Sequence, residues 1–296
     1  MSLVRTLRFV TGHPLNRRRR WASLVGFARR QIGARLVPGR VVFDWVNGSR
    51  FFVGPGETGL TGNVYCGLHE FADMAYVLHV TSPEDLFVDV GANVGSYTLL
   101  ACAANGARGI CFEPVPATYR RLSDNIRLND MGGRVRALNI GLSDRAGELR
   151  FTSDENCLDH VLADGESSEK AITVPVTTLD SALGAESPAV IKIDVEGFET
   201  SVIEGASRTL ESPSLHSVIM ELNGSGGRYG FSEDGILETM LAHRFSTYAY
   251  EPFTRKLLPL HGKNNGSGNT LFIRNLPMVE SRLARARRVK VGGVEI

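Results

Sequence analysis

Apolar and polar positions change rhythm twice along this chain. Trp21, Leu24, Val25, Ala28 and Ile32 recur at helical spacing with Arg29 and Arg30 off the stripe, which predicts an amphipathic helix. Residues 41–54 alternate instead: Val41 to Val46 and Arg50 to Val53 flank Asn47-Gly48, a strong hairpin signal. A Gly-rich stretch from Gly54 to Gly67 precedes a predicted helix from Glu70 to His79, and Pro83-Glu84-Asp85 then breaks the chain.

From Leu86 onward, short apolar runs take turns with helical segments. The predicted strands are Leu86–Val90, Gly109–Phe112, Val135–Asn139, Val190–Ile193 and Ser217–Glu221. Helices fall near 95–104, 116–129, 179–183 and 199–210. Strands separated by helices imply right-handed crossovers and a parallel sheet covered on both faces. A helix near 233–243 follows, then Phe245–Tyr250 and Thr270–Arg274, which fit a final antiparallel pair joined across the polar stretch His261 to Asn269. The pattern divides the chain into an N-terminal extension (1–80), an α/β domain (81–276) and a basic tail (277–296), the last expected to be peripheral and frayed.

Composition narrows the class. The 296 residues are 43% apolar and 22% charged, as in an ordinary globular protein able to bury a core without staples. Cys66, Cys102, Cys111 and Cys157 form no C-x-x-C pair, which argues against zinc and for reduced thiols. No apolar run approaches the roughly 20 residues of a membrane span. Leu3 to Val10 is broken by Arg5 and Arg8 and does not read as a signal peptide, so a cytoplasmic location is expected. The formal net charge of +1 hides an asymmetry: ten arginines and no acidic residue precede Asp44. The basic helix therefore has two readings, peripheral contact with an anionic membrane or other polyanion, or packing on the α/β domain with its arginines solvated. Near-neutral net charge and the lack of an aromatic–basic stripe in the core argue against a nucleic-acid partner. The oligomeric state is not legible.

Candidate chemistry gathers where such a sheet binds ligands, at the carboxyl ends of its strands. The first strand of the α/β domain ends in Asp89-Val90-Gly91-Ala92-Asn93-Val94-Gly95, whose glycines allow a sharp turn and close backbone approach. The next ends in Glu113, about 20 residues past the turn, where a carboxylate can hydrogen-bond a ribose diol. That much fits any adenosine-containing ligand. The spacing Gly91-x-x-x-Gly95 lacks the G-x-G-x-x-G of a pyrophosphate seat, which weighs against an NAD-dependent oxidoreductase and suits a cofactor without phosphate.

Residues 86–223 resemble the FkbM family of S-adenosylmethionine-dependent methyltransferases. The resemblance rests on Phe87 to Gly95, on Phe112-Glu-Pro-Val-Pro116 with Leu122 and Asn125, and on Gly141-Leu-Ser-Asp144, Thr178-Leu-Asp180 and Ile191 to Glu199. Gly67-Leu-His-Glu70 is similar to an element that precedes the family's cofactor domain. The resemblance implies a class I methyltransferase fold: a Rossmann-like, seven-stranded, mostly parallel sheet with a terminal antiparallel strand. It implies methyl transfer from S-adenosylmethionine to a hydroxyl of a sugar, glycolipid or natural product; the Arg-rich N-terminus leaves a nucleic-acid methyltransferase or RNA-binding module as the alternative, beside the NAD-dependent oxidoreductase. Carried over, Asp89, Gly91, Ala92, Asn93 and Gly95 line the methionine side of the cofactor and Glu113 the ribose. Ser143 and Asp144 lie near adenine, Asp194 faces the sulfonium, and Glu70 caps the pocket.

Attack by a hydroxyl needs alignment and a proton acceptor. The candidates are Asp194, Glu196, Glu221 and His160. His160 follows Asn156-Cys157-Leu158-Asp159 and has a side chain suited to base chemistry near neutrality, or is a solvated loop histidine. Asp194 and Glu196 straddle Val195 and would share one face of a strand. With Glu221 they could hold Mg²⁺, but no spacing demands a metal and none is expected. In the other reading, Glu196 and Glu199 cap the next helix. His69, His79, His216 and His243 are expected to be structural, and Trp21 and Trp45 to be packing residues.

Overall fold

The computed structural model describes residues 3–296 apart from 18, 37, 38, 55–59, 154–158, 164 and 267. Asn156, Cys157 and Leu158, and much of the Gly-rich stretch after Gly54, thus lie outside the described residues.

The N-terminal extension runs α1 (Leu3–Gly12), α2 (Arg20–Leu36), β1 (Val41–Asp44), β2 (Arg50–Val53), α3 (Thr61–Cys66) and α4 (Phe71–Val80). The hairpin forms with Asp44 opposite Arg50, so its loop spans five residues rather than the two expected at Asn47-Gly48. Trp45 and Val46 leave the ladder to pack: Trp45 Nε1 donates to Gly67 O at 2.5 Å, and Val46 is buried. The helix at 20–36 exists, but of the expected apolar stripe Leu24 is only half-buried and three other members do not pack; the side chain of Ile32 lies outside the described residues. Trp21, Val25 and Ala28 are exposed, whereas Phe27 packs with Val10 and Cys66. Ala22, Ser23 and Gly26 line an open groove whose other wall is Phe43 to Val46, so Phe27 supplies the packing that the apolar stripe was expected to make.

The strands of the domain that follows are β3 (Leu86–Val90), β4 (Arg108–Phe112), β5 (Val135–Leu138), β6 (Gly141–Leu142), β7 (Gly147–Phe151), β8 (Ile172–Thr177), β9 (Val190–Ile193), β10 (Ser217–Glu221), β11 (Ser246–Glu251), β12 (Lys256–Pro259) and β13 (Asn269–Ile273). Its helices are α5 (Ser96–Thr98), which runs into π-helical turns at Leu99–Ala104, then α6 (Pro116–Leu128), α7 (Leu179–Leu183), α8 (Glu199–Glu204), α9 (Ser207–Glu211) and α10 (Glu233–Ala242). The main sheet has the order β12-β11-β13-β10-β9-β3-β4-β5. It has eight strands, not seven: β12 folds back on β11 as an extra antiparallel edge. The antiparallel β13 lies between β10 and β11, so the expected Rossmann-like pattern holds. A small sheet, β6-β8-β7, fills the connection from β5 to β9.

Strand residues alternate between two cores on opposite faces of the sheet. Phe87, Cys111, Val190 and Ile219 join one apolar cluster, and Val88, Ile110, Ile191 and Val218 the other. Each such side chain contributes about 1.5–3 kcal/mol on burial.

The C-terminal segment corrects the expectation of a frayed tail. It forms α11 (Leu276–Arg285) and a hairpin of β14 (Lys290–Val291) and β15 (Val294–Glu295). Val279, Leu283, Val289, Val291 and Ile296 enter the same core as the N-terminal extension. Arg282 grips Asp85 with both guanidinium nitrogens, at 2.5 and 3.1 Å, and donates to Val80 O. The basic look of the segment concealed Val279 and Leu283, one helical turn apart. Cys66, Cys102 and Cys111 are buried free thiols. No helix among the described residues is long and apolar enough to cross a membrane.

Candidate active site

After β5 the chain crosses to the other side of β3 and enters β9, so the carboxyl ends of β3 and β9 mark the switch in strand order. Here Gly91 sits at φ +77°, and a Cβ on it would lie 1.8 Å from the Asp194 carbonyl oxygen. Only glycine lets the two strand ends approach this closely. The Gly91 and Ala92 amides donate to Phe112 O, tying the loop to β4. Asp89 accepts from the Thr98 amide and hydroxyl, at 2.9 and 2.6 Å, and so fixes the start of the following helix from inside the protein. Burial pushes the Asp89 carboxyl up to about 6.

These ends open into a cavity of about 280 Å³. On its wall Glu113 accepts the Asn93 amide at 3.0 Å and the Val115 amide at 2.9 Å. Burial pushes its carboxyl up to about 7 despite those bonds. Val115, Ile140, Leu142, Phe151 and Val161 add apolar wall.

Beside Gly91 lies a group of carboxylates. One oxygen each of Asp194, Glu196 and Glu221 fall within 4.8 Å of one another. The parallel register that pairs Ile193 with Met220 carries Asp194 to the level of Glu221. Glu196 reaches the group from a left-handed conformation, φ 54°. Burial and then the charge of Asp194 raise both glutamates, Glu196 to about 7. Lys192, fully buried, sets its Nζ 3.1 Å from Asp194 Oδ2 and 5.2 Å from the Tyr97 ring centre. Burial alone would lower that ammonium, but Asp194 and Glu70 hold it raised. Glu70 accepts from the Tyr97 hydroxyl at 2.9 Å and from Asn269 Nδ2 at 3.0 Å. Asn269 also donates to Asp73, whose carboxyl is pushed up to about 7, first by burial and then by Glu70.

The cavity wall thus brings together Glu70, Asp89, Gly91, Ala92, Asn93, Glu113, Asp194, Glu196 and Glu221. Four expected site residues are not among the described residues lining it. Gly95 makes the turn at φ +95°, against Leu122. Ser143 is drawn away by pairing of β6 with β8: its amide donates to Thr177 O and its hydroxyl to Asp144. Their place on the wall is taken by Ile140 to Leu142. Asp159 and Val161 line the cavity, so alternation turns His160 the other way. It is buried, with Nε2 3.0 Å from Glu166. Glu199, rather than Glu196, braces the turn after β9, accepting the Val195 and Gly197 amides. His69, expected to be structural, is on the wall, with the Phe9 ring tilted against it at 5.0 Å between centres. His79 and His216 are buried structural histidines bonded to Tyr250 and Ser217. Lys192 and Tyr97 carried no expectation; the signal for Lys192 was a lysine inside an apolar strand.

The methyltransferase FkbM domain model matches residues 89–247, more than half of the chain. The hexuronic acid methyltransferase AglP of Haloferax volcanii is 30% identical over 153 residues, covering 50% of this chain and 59% of AglP. The 31-O-demethyl-FK506 methyltransferase FkbM of Streptomyces tacrolimicus is 25% identical over 215 residues, 60% of this chain and 80% of that protein. The 2-O-methyltransferase NoeI of Sinorhizobium fredii is 29% identical over 148 residues, 43% of this chain and 60% of NoeI. The chain therefore spans about three fifths of the length of AglP and NoeI. Among solved structures, a putative transferase from Pyrococcus horikoshii aligns over 80% of this chain and 72% of its own, at 15% identity and a TM-score of 0.42. With the glycine turn, Glu113 and the Ile191 to Glu199 segment all inside the matched region, the chain belongs to the FkbM methyltransferase family.

Proposed function

We propose that this protein transfers a methyl group from S-adenosylmethionine to a hydroxyl of a sugar, glycolipid or natural-product acceptor. The observation that carries the reading is the Asp194–Glu196–Glu221 carboxylate group, set against a glycine turn and a cavity that also presents Glu113.

The residues present fit the cofactor. Glu113 already accepts two amides and keeps lone pairs for a ribose diol. The apolar side chains of Ile140, Leu142 and Phe151 suit a flat adenine ring, and Gly91, Ala92 and Asn93 border the cavity beside Asp194, where the methionine part would lie. When bound, the cofactor supplies an activated methyl on a sulfonium. The chain's own work is then to align an oxygen nucleophile and take its proton. The carboxylate group takes the proton, because burial and mutual repulsion lift Glu196 and Glu221 to where a carboxylate holds a proton near neutrality and exchanges it readily. Lys192 keeps the group anionic enough to accept. The reading needs no metal, since Lys192 already supplies a countercharge at Asp194.

The choice of a hydroxyl acceptor is supported by relatives named as a hexuronic acid methyltransferase and a 2-O-methyltransferase. The test is calorimetric titration with S-adenosylmethionine and S-adenosylhomocysteine, followed by a screen for S-adenosylhomocysteine release with hexuronosides, other glycosides and polyketide alcohols. Binding of both cofactor forms with turnover lost in Asp194→Asn is expected. Folded protein that binds neither form refutes the cofactor, and turnover confined to RNA refutes the acceptor class.

A further inference from the structure

We infer that α1, α2 and the neighbouring strand β1 form a face that docks on the surface of an anionic bilayer, a property independent of the methyl-transfer reading. The first observation is apolar exposure. Of the nine large apolar side chains exposed among the described residues, six lie between Val4 and Val42, led by Trp21 at 82% and Val4 at 60%. The second is how α2 is turned. At 3.6 residues per turn, Trp21, Val25 and Ala28 occupy one narrow sector, flanked by the exposed Arg20 and Arg29, while Ala22, Ser23, Gly26 and Phe27 lie opposite. That opposite side holds the contact to the protein, where Phe27 packs against Val10 of α1 and Tyr65 and Cys66 of α3. The apolar sector is therefore outward by construction, with arginines at its borders.

Charge selects the occupant. The first 43 residues hold ten arginines and no acid, whereas the other 253 hold 23 Lys and Arg against 32 Asp and Glu. An anionic surface attracts the extension and repels the rest, which fixes orientation as well as affinity. A helix with a tryptophan-bearing apolar sector between arginines lies in the headgroup plane, with Trp at the interface. Val41 and Val42, exposed at the start of β1, add apolar surface to the extension. Docking there bears on the site, because Phe9 of α1 contacts His69, which lines the cavity.

The experiment is flotation of the purified full chain with vesicles of phosphatidylcholine alone, or with an equal share of phosphatidylglycerol. Binding is expected only with phosphatidylglycerol and should weaken with salt. Paired exchange of Arg20→Gln and Arg29→Gln should lower partitioning about 30-fold, at about five-fold per arginine near an anionic surface. Trp21→Ser should also lower it while far-ultraviolet circular dichroism stays native, and in a Trp45→Phe background the emission of Trp21 should shift to the blue on vesicles. No binding to either vesicle by folded protein overturns the proposal. So does vesicle binding unchanged in the Trp21 and arginine variants, or binding to RNA in place of vesicles.

Discussion

Lys192→Met keeps the buried aliphatic stem and removes one charge, so it isolates what the ammonium does for the carboxylate group. The Nζ to Asp194 Oδ2 distance of 3.1 Å corresponds to about 5 kcal/mol between unit charges at an effective dielectric of about 20. The Asp194 side chain is 31% exposed, and water admitted on loss of the ammonium returns part of that energy. A remainder of about 2–3 kcal/mol raises the group's affinity for a proton by about two pKa units. Lys192 acts to lower the Glu221 carboxyl, so without it Glu221 and its neighbours titrate at higher pH as one coupled unit. Fold stability should change little, because an isolated ammonium no longer has to be desolvated and the carboxylates can take up a proton instead. The assay is a carbon-13 titration of side-chain carboxyls in wild type and variant, with signals assigned through Asp194→Asn and Glu221→Gln. Turnover at neutral pH should fall by up to about 100-fold and recover as pH rises. Superimposable titration curves, or a loss of turnover that does not recover at any pH, would refute the role assigned to Lys192.

Four further outcomes follow from the geometry. Burial holds the Glu113 carboxyl up at about 7, and its ionised form offers both oxygens as the stronger acceptors for the two amides and a diol together. Cofactor affinity should therefore rise with pH until about 7 and then level, with proton release visible by calorimetry in buffers of different ionisation heat, and Glu113→Gln should weaken binding about 10- to 150-fold; pH-independent affinity contradicts this. Gly91→Ala forces a Cβ to within 1.8 Å of a backbone oxygen at φ +77°, so cofactor binding should be lost and urea unfolding should show more than the about 1–2 kcal/mol of left-handed strain alone. Leu283→Ala opens a cavity in a packed α11 and should cost about 2–5 kcal/mol in the same assay, whereas a frayed tail would give under about 0.5. His160→Gln should leave the ascending limb of the pH–rate profile in place, because its ring faces Glu166; a displaced limb would restore His160 as a base.

What was legible in the sequence was whatever short-range chemistry decides. Gly91 and Glu113 were found because a strand-to-loop turn demands glycine and because the crossover from β3 to β4 fixes the distance to the next strand end. Asp194 and Glu196 announced each other by adjacency, and Glu221 by standing at the end of the next strand, which the parallel register then brought level. Two departures from the expected arrangement come from distant pairings. Ser143 and Asp144 follow β6, which pairs with β8, about 35 residues on, and the alternation Ile172, Val174, Val176 held the only local sign of that partner. Val279 and Leu283 looked peripheral until α4 and Asp85 were there to receive α11. Lys192 differs, because its signal was local and of the opposite kind. In Val190-Ile191-Lys192-Ile193 a charge stands where the pattern demands an apolar side chain, and a lone buried ammonium is too costly to persist unpaired. The violation therefore required an anionic partner at the same strand end. Asp194, two residues on and on the same face of the strand, is that partner, so the break in the apolar pattern pointed to the carboxylate group as directly as the carboxylates did.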